Sequence, residues 1–392
     1  MDITKQPAAR RDKPLFTPGP LTTSLTVKEA MLRDLGSRDD EFIEIVRSIR
    51  SQLLSLAGVS QSQGYECVLL PGSGTYSVEA VVSSAVPPDR KLLAIVNGAY
   101  GNRIVTIAKR HGIEAIILNS RENALPSLSD IERTLEDHPE ILLTAVVHCE
   151  TTSGIMNPIE AIGQIVSSHG GRYFVDSMSA FGAVPIDFEA AQIDFLVSSA
   201  NKCIEGVPGF GFAICRRDAL AETEGLARTL SLDLFAQWQE LERSGQFRFT
   251  PPTHTLLAFN QALKELAAEG GVCGRGDRYR QNHELLCRGM QKLGFSEYVP
   301  RQLQGSIITS FRYPRHANFN FTEFYQQLND KGFVIYPGKV SDADCFRIGT
   351  IGRLSTSDVT ALLSAIREAL GEMGIELPLK PHATTEKEPL HA

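Results

Sequence analysis

The sequence predicts an α/β protein in which a large domain, with a mostly parallel sheet covered by helices, precedes a smaller C-terminal α/β domain. Short runs of β-branched and other apolar residues alternate with longer amphipathic stretches, as strands and helices do in such folds. The runs are apolar on both faces, which is typical of strands buried between helical layers. A length of 392 residues, 42% of them hydrophobic, suffices for two cores of ordinary size.

The predicted elements follow one another in a regular order. The strands of the large domain are predicted at 91–96, 114–118, 142–147, 172–175, 193–198 and 210–215. The helices that alternate with them are predicted at 40–56, 75–86, 99–111, 128–137 and 158–169. A helix-rich stretch over 231–292 leads into a second α/β pattern, with strands at 306–311 and 344–349 and helices at 321–330 and 355–371.

These elements divide the chain into four predicted segments. They are an N-terminal tail over 1–15, a large domain over 16–265, a small domain over 266–374 and a mobile tail over 375–392. The two tails are Pro-rich, charged and aperiodic, which is typical of termini that lack packing partners.

Composition argues against several classes of function. The net charge is −7, from 39 basic and 46 acidic residues, and there is no basic run, so a nucleic-acid partner is not expected. No apolar stretch approaches the ~20 residues that span a bilayer, and the N-terminus lacks the apolar core of a signal peptide. We therefore expect a cytoplasmic protein without membrane contact.

The seven cysteines indicate neither a metal site nor a disulfide framework. Their number is odd, and they form no CxxC pair and have no histidine at ligand spacing. Cys67 and Cys215 lie inside apolar runs, which favours reduced and buried thiols. We expect no bound metal.

A glycine-rich turn follows an apolar run at Leu69–Leu70 and opens a predicted helix. The residues Ser73, Gly74 and Thr75 would present free backbone N–H groups, the arrangement that binds a phosphate. The dinucleotide fingerprint fails at its third glycine, where Ser77 stands, and no P-loop lysine follows. An ordinary tight turn explains the pattern equally well.

Asp176 and Lys202 each follow an apolar strand. A carboxylate at the end of a parallel strand is placed to bind a ligand, although Asp176 could instead cap the next helix. Lys202 stands among Ser, Ala and Asn residues, where burial would lower its pKa and let its amine attack a carbonyl. The alternative is that Lys202 is a solvated surface residue.

A phosphate turn, a carboxylate and a lysine, in that order along the chain, are the parts that a pyridoxal phosphate enzyme needs. Further motifs are FTPGPLTTS (16–24), GSGTYSVEA (72–80), NGAYGNR (97–103), HCETTSG (148–154), FVDSMSAFG (174–182), SSANKCIEGVPGFGF (198–212), FRFTPPTHT (247–255), VIYPGK (334–339) and FRIGTIG (346–352). With these motifs, the chain resembles the class V branch of the fold-type I aminotransferases. The resemblance implies pyridoxal 5′-phosphate as cofactor.

Within that branch the resemblance is greatest to enzymes of phosphonate catabolism. It implies transfer of the amino group of 2-aminoethylphosphonate to pyruvate, giving phosphonoacetaldehyde and L-alanine. An alternative on the same scaffold is an ammonia-lyase acting on 1-hydroxy-2-aminoethylphosphonate, because a hydroxyl next to the reacting carbon can leave. A nucleotide-binding oxidoreductase is a third hypothesis, and it rests on the Gly72-Ser73-Gly74 turn alone.

The resemblance also implies roles for individual cofactor-binding residues. Lys202 would carry the cofactor as a Schiff base and move the substrate proton, and Asp176 would keep the pyridine nitrogen protonated. Tyr100 would stack on the ring, and Thr152 would bind the ring hydroxyl. The remaining expected contacts, to the cofactor phosphate, come from Ser73, Gly74 and Thr75.

Three further positions match family sites outside the cofactor ring. Thr250 and Thr253 match positions that reach the phosphate in the neighbouring subunit, which implies a homodimer with shared active sites. Arg347 matches the position that holds the substrate's anionic group, and its guanidinium suits a carboxylate or a phosphonate. An internal ion pair is the alternative explanation for an arginine on this apolar strand.

Arg38 is a departure from the family pattern. The transaminases that the chain resembles tend to carry Trp where Arg38 stands. We consider Arg38 a substrate-binding candidate, because its charge could bind the phosphonate or a neighbouring hydroxyl. Alternatively, Arg38 is a surface residue paired with Asp39 or Asp40.

Overall fold

The computed structural model describes residues 12–380 of the chain. The helices are α1 (Leu25–Glu29), α2 (Asp40–Leu56), α3 (Gly74–Ala85), α4 (Ala99–Arg110), α5 (Leu128–Asp137), α6 (Ile159–Ser168), α7 (Arg217–Ala221), α8 (Leu234–Ser244), α9 (Thr253–Ala268), α10 (Gly271–Lys292), α11 (Phe321–Asp330) and α12 (Thr356–Glu372). The strands are β1 (Tyr65–Gly72), β2 (Lys91–Val96), β3 (Ala115–Asn119), β4 (Ile141–Val147), β5 (Cys149–Glu150), β6 (Ile155–Met156), β7 (Arg172–Asp176), β8 (Phe195–Ser199), β9 (Gly209–Arg216), β10 (Ile308–Arg312), β11 (Tyr336–Pro337) and β12 (Cys345–Gly349).

The main sheet has seven strands in the order β1-β9-β8-β7-β4-β2-β3. Neighbours from β8 to β3 pair in parallel, whereas β9 pairs antiparallel with both β1 and β8. Every residue of β8 is buried, because helices cover the middle of the sheet. The predicted α/β class with a mostly parallel sheet is therefore confirmed.

Most predicted elements lie within two residues of the observed ones. Helix α2 has the predicted bounds because the Asp39 side chain accepts a hydrogen bond from the Glu41 amide and so fixes its start. Strand β1 starts at Tyr65, four residues before the apolar run noted in the sequence. Strands β5, β6 and β11 have two residues each, too few for any periodicity to predict.

The C-terminal part of the chain forms a separate antiparallel sheet in the order β10-β12-β11. Its apolar core is distinct from that of the main sheet and also contains Phe16 from the N-terminal segment. The predicted domain boundary after residue 265 falls inside α9 and stays a prediction.

Part of the predicted C-terminal tail packs against this small core. Ile375 and Leu379 are buried in it, and the Leu379 amide donates to the Leu293 carbonyl over 2.8 Å. These two apolar side chains explain why the chain stays packed beyond residue 374. The rest of the predicted tails, residues 1–11 and 381–392, lies outside the described residues.

The fold brings several segment ends to one edge of the main sheet. Strands β7 and β8 pair in parallel, with Asp176 opposite Val197, so their carboxyl ends lie side by side. The N-terminal segment reaches the same edge after crossing the small sheet, where the Phe16 carbonyl accepts from the Gly349 amide over 2.9 Å. In the range 12–380, none of the helices combines the length and apolarity needed to cross a bilayer.

Candidate active site

Lys202 lies three residues after the end of β8, in the turn that leads to β9. Its Nζ donates a hydrogen bond to the Pro18 carbonyl over 2.6 Å, so the N-terminal segment forms one wall around the amine. Burial lowers the pKa of Lys202, and the negative charge of Asp176 offsets part of that shift. A lysine with a lowered pKa supplies more neutral amine, the form that attacks a carbonyl carbon.

Asp176 ends β7 and is 4% exposed. Its Oδ1 accepts a hydrogen bond from the Met178 amide over 3.0 Å. Its Oδ2 accepts none from residues 12–380. Burial raises the pKa of Asp176 to about 6, and the nearby Glu150 carboxylate adds to this shift. The geometry leaves one carboxylate oxygen available to a donor from outside the protein chain.

Glu150 is a buried carboxylate at this edge that sequence reasoning missed. Its Oε2 accepts from the Tyr100 and Gly101 amides over 3.1 and 3.2 Å, at the start of α4. Burial raises the pKa of Glu150, while four hydrogen bonds, two of them from Thr152, act in the opposite direction. Glu150 thus fixes the first turn of α4, which carries Tyr100.

The predicted phosphate turn opens α3, as expected. Ser73 is the residue before the helix, and its hydroxyl makes no capping hydrogen bond. A Cβ at Gly74 would collide with the end of the Met178 side chain, so the two segments approach closely here. The amides at the start of this twelve-residue helix therefore lie next to Met178, two residues after Asp176.

Tyr100 lies in the first turn of α4, and two cations face its ring. The Arg103 guanidinium carbon is 4.6 Å and the Lys339 Nζ 5.6 Å from the ring centroid. Burial acts to raise the pKa of Tyr100, but the charge of Lys202 and a hydrogen bond from Thr151 lower it overall.

Arg103 connects Tyr100 to the phosphate turn. Its Nη1 donates to the Thr75 hydroxyl over 3.0 Å, and its charge lowers the pKa of Asp176. Sequence reasoning missed this residue, although its spacing of three from Tyr100 on a helix predicts a shared face.

The hydroxyl of Thr152 is engaged within the protein. It donates to Glu150 Oε1 over 2.6 Å and accepts from the Ala99 amide over 2.9 Å. Only one lone pair is left for a ring hydroxyl, so the expected contact with the cofactor stays a prediction.

Arg347 lies on β12 of the small sheet, is 1% exposed, and reaches toward the main sheet. Its Nε donates to the Pro337 carbonyl over 2.9 Å and its Nη1 to the Thr151 carbonyl over 2.7 Å. Burial lowers the pKa of Arg347, and Tyr100 offsets part of that shift. Within residues 12–380 it forms no ion pair, so the alternative of an internal ion pair is wrong, because its partners are neutral carbonyls.

Three predicted residues lie apart from this cluster in the single chain. Thr250 is exposed and Thr253 is half-buried at the start of α9, and neither bonds to Lys202, Asp176 or the phosphate turn in the described range. Arg38 is exposed and forms no ion pair with any residue of 12–380. Pairing with Asp39 is therefore not observed, since that carboxylate caps α2 instead.

The residues present fit pyridoxal phosphate. The free Oδ2 of Asp176 matches a protonated ring nitrogen, the amides at the start of α3 match a phosphate, and the amine of Lys202 matches an aldehyde carbon. In the part of the chain that the structure describes, no group of three or more His, Cys, Asp or Glu residues could hold a metal ion.

Comparison with known proteins agrees with this chemistry. The family model described as "Aminotransferase class-V" matches residues 23–342. The 2-aminoethylphosphonate–pyruvate transaminase of Vibrio cholerae serotype O1 is 51% identical over 358 residues, which cover 91% of this chain and 97% of that protein. The enzyme of the same name from Salmonella typhimurium is 52% identical over the same shares of the two chains.

Solved structures with the same fold have lower sequence identity. Pyridoxamine–pyruvate aminotransferase from Mesorhizobium loti superposes with a TM-score of 0.85 at 24% identity, covering 94% of this chain and 95% of its own. Alanine–glyoxylate aminotransferase from Nostoc sp. gives the same TM-score and identity, covering 94% and 98%. At this identity the similarity establishes the fold, that of the fold-type I enzymes, and nothing further.

Proposed function

The chain belongs to the class-V aminotransferases, and on that premise we propose that it transfers the amino group of 2-aminoethylphosphonate to pyruvate, giving phosphonoacetaldehyde and L-alanine. Relatives of that name are 51–52% identical over 91% of the chain. The observation that carries the proposal is the buried guanidinium of Arg347, which donates to two backbone carbonyls and forms no ion pair with any residue of 12–380. Its charge is therefore available to an anionic substrate.

Pyridoxal 5′-phosphate is the proposed cofactor. When bound, it supplies an electron sink for the charge that develops on the substrate carbon as its proton leaves. Ser73, Gly74 and Thr75 would hold the phosphate, Tyr100 would cover the ring, and Thr152 would lie near the ring hydroxyl.

Two side chains would manage protons. Lys202 Nζ, with its lowered pKa, would take the proton from the carbon that bears the amino group and return it at the end of the transfer. Asp176 would accept a hydrogen bond from the ring nitrogen through Oδ2 and keep that nitrogen protonated. A cationic partner favours the ionised carboxylate and so would lower the pKa of Asp176 from its value of about 6.

Arg347 would serve both halves of the reaction. The guanidinium fork binds the oxygens of a phosphonate or of a carboxylate with parallel hydrogen bonds. Its two bonds to the carbonyls of Pro337 and Thr151 fix its orientation before the substrate arrives.

A homodimer with shared sites is part of the proposal. Tyr76, Leu230 and Phe249 are 51%, 74% and 49% exposed, which is unusual for large apolar side chains and would be explained by a second copy. Phe249 adjoins Thr250, which with Thr253 would reach the partner's cofactor phosphate.

Mixing inactive Lys202→Ala and Thr253→Ala variants should restore part of the activity, because hybrid dimers regain one intact site. An active monomer in sedimentation contradicts this. A cytoplasmic location also stays a prediction.

The reaction itself can be tested with purified holoenzyme and 2-aminoethylphosphonate, with and without pyruvate. We expect L-alanine and phosphonoacetaldehyde in equal amounts, and only when pyruvate is present. Free ammonia released without pyruvate would contradict transamination and favour the lyase.

The second substrate to test is 1-hydroxy-2-aminoethylphosphonate. Arg38 is exposed and unpaired among residues 12–380, so its charge would be available to the hydroxyl of this compound. A kcat/KM at least tenfold higher for 1-hydroxy-2-aminoethylphosphonate corresponds to about 1.4 kcal/mol of differential transition-state binding. That result would overturn the choice of substrate.

A further inference from the structure

Lys339 lies in the turn that follows β11, with its Nζ 5.6 Å from the centroid of the Tyr100 ring. Its side chain is exposed, and it forms no ion pair or hydrogen bond with any residue of 12–380. We propose that Lys339 is a specificity-determining residue that supplies a second positive charge for the phosphonate dianion and discriminates it from a carboxylate. This inference rests on the proposed function and deepens it.

The backbone ties Lys339 to the strand that carries Arg347. Strand β11 pairs with β12, with Tyr336 opposite Arg347, and the Pro337 carbonyl accepts the Arg347 Nε hydrogen bond. The Gly338 amide then donates to the Cys345 carbonyl over 3.0 Å, and a Cβ on Gly338 would collide with that carbonyl. The turn is therefore fixed one residue before Lys339.

Both cations act on the same aromatic side chain. Lys339 Nζ lies 5.6 Å from the centroid of the Tyr100 ring, and the charges of Lys339 and Arg347 each lower the pKa of Tyr100. Arg347 is buried, whereas Lys339 approaches from the exposed side. An anion bound by Arg347 beside Tyr100 would therefore lie within reach of the flexible Lys339 stem.

Two carboxylates near this turn, those of Glu122 and Asp342, have other partners. Glu122, which follows β3 of the main sheet, accepts from the Ser341 amide over 2.7 Å and from its hydroxyl over 3.3 Å. Asp342 accepts a hydrogen bond from the Tyr298 hydroxyl. These bonds anchor the segment after Lys339, and among residues 12–380 Lys339 itself has no ion-pair partner.

Charge explains why Lys339 would discriminate between the two substrates. A phosphonate can carry two negative charges near neutral pH, whereas the carboxylate of pyruvate or L-alanine carries one. Coulomb attraction scales with the product of the charges, so an added cation stabilises the dianion about twice as strongly. The single charge of Arg347 balances a carboxylate, and Lys339 adds the second positive charge that balances the phosphonate dianion.

The test compares the two half-reactions in holoenzyme carrying Lys339→Met, which removes the charge and keeps the length of the side chain. We expect the second-order rate constant with 2-aminoethylphosphonate to fall about tenfold, which equals ~1.4 kcal/mol, and that with L-alanine to fall less than about threefold. Lys339→Arg should restore most of the rate. The matched control is Lys292→Met, an exposed lysine at the end of α10, which should change neither rate.

Binding provides a readout that does not depend on turnover. Calorimetric titration of the same variants with ethylphosphonate and propionate, which cannot react, should show about tenfold weaker phosphonate binding in Lys339→Met and nearly unchanged carboxylate binding. Equal losses for both ligands, or no loss for either, overturn the inference. If the wild-type enzyme does not react with 2-aminoethylphosphonate, the proposed function fails, and the titration still decides the role of Lys339.

Discussion

Buried charges neutralise one another around Arg278, whereas those around Lys202 do not. Arg278 donates to Glu269 over 2.6 Å and to Glu205 over 2.7 Å. Arg275 donates to Glu269 over 2.8 Å, and the Tyr279 hydroxyl bonds Glu205 over 2.6 Å. Within residues 12–380, the buried side-chain atoms of this cluster that lack a hydrogen-bond partner are Glu205 Oε2 and Arg275 Nη2.

The charges around Lys202 contact neutral backbone groups instead. Lys202 and Arg347 donate to carbonyls, and Asp176 accepts from an amide. Burial shifts the pKa of each group toward its neutral form. A region that buries charge without pairing it loses stability, and such regions occur where a ligand supplies the missing partners. From this difference we infer that the cluster around Arg278 stabilises the fold and that the cluster around Lys202 binds a ligand.

The largest expected effect is that of Lys202→Ala. We expect activity to fall by roughly four orders of magnitude or more, because no other group can hold the cofactor covalently and move the proton. The unfolding midpoint of the cofactor-free protein should not fall, since within residues 12–380 the amine donates to a single carbonyl, that of Pro18. Borohydride reduction of the wild-type holoenzyme and peptide mapping should place the cofactor on Lys202. Label on another lysine would contradict the site.

Asp176→Asn should have the next largest effect on turnover. We expect a loss of roughly two to four orders of magnitude and weaker cofactor binding, because an amide cannot keep the ring nitrogen protonated. Steady-state rates at saturating cofactor measure the first effect, and titration of the cofactor-free protein measures the second. Near-normal turnover would refute the role.

Arg278→Met tests the paired cluster. Removing Arg278 takes one of two cations from Glu205 and Glu269, and Arg275 remains beside both. We therefore expect the free energy of unfolding to fall by about 3 kcal/mol, the lower end of the range for a broken buried ion pair. The exposed pair between Arg280 and Asp277 provides a matched control, and Arg280→Met should cost less than about 1 kcal/mol. Urea denaturation measures both. If the free energy of unfolding falls by a similar amount in the two variants, burial of the ion pair does not determine how much it contributes to stability.

Much of the fold could be predicted from the sequence, because strand burial and helix caps are local signals. Helix α2 has its predicted bounds, and the apolar runs marked the strands of the main sheet. The antiparallel direction of β9 could not be predicted, because two-sided burial gives the same apolar pattern in either direction. The packing of Ile375 and Leu379 also depends on a core formed by distant residues.

The site was predictable only where a residue's position in a motif determines its surroundings. Lys202 and Asp176 follow strands whose carboxyl ends meet, so their proximity follows from the topology. Glu150 and Arg103 were missed because their importance comes from contacts with other segments. The motif predicted that the Thr152 hydroxyl binds the cofactor, but it could not predict that this hydroxyl donates its proton to Glu150.

If the site buries charge whose partner is an external ligand, the cofactor-free protein should carry an unpaired carboxylate at Asp176. The folded pKa of Asp176, about 6, exceeds the unfolded value of 3.8, so the stability that its protonated form contributes is present below pH 3.8 and lost as pH rises through 6. Asp176→Asn should therefore stabilise the cofactor-free protein, by about 3 kcal/mol at pH 8 and by less at pH 5. Pyridoxal phosphate should reverse this order by stabilising the wild type more. An Asp176→Asn variant no more stable than the wild type at pH 8 would show that the protein itself compensates the carboxylate.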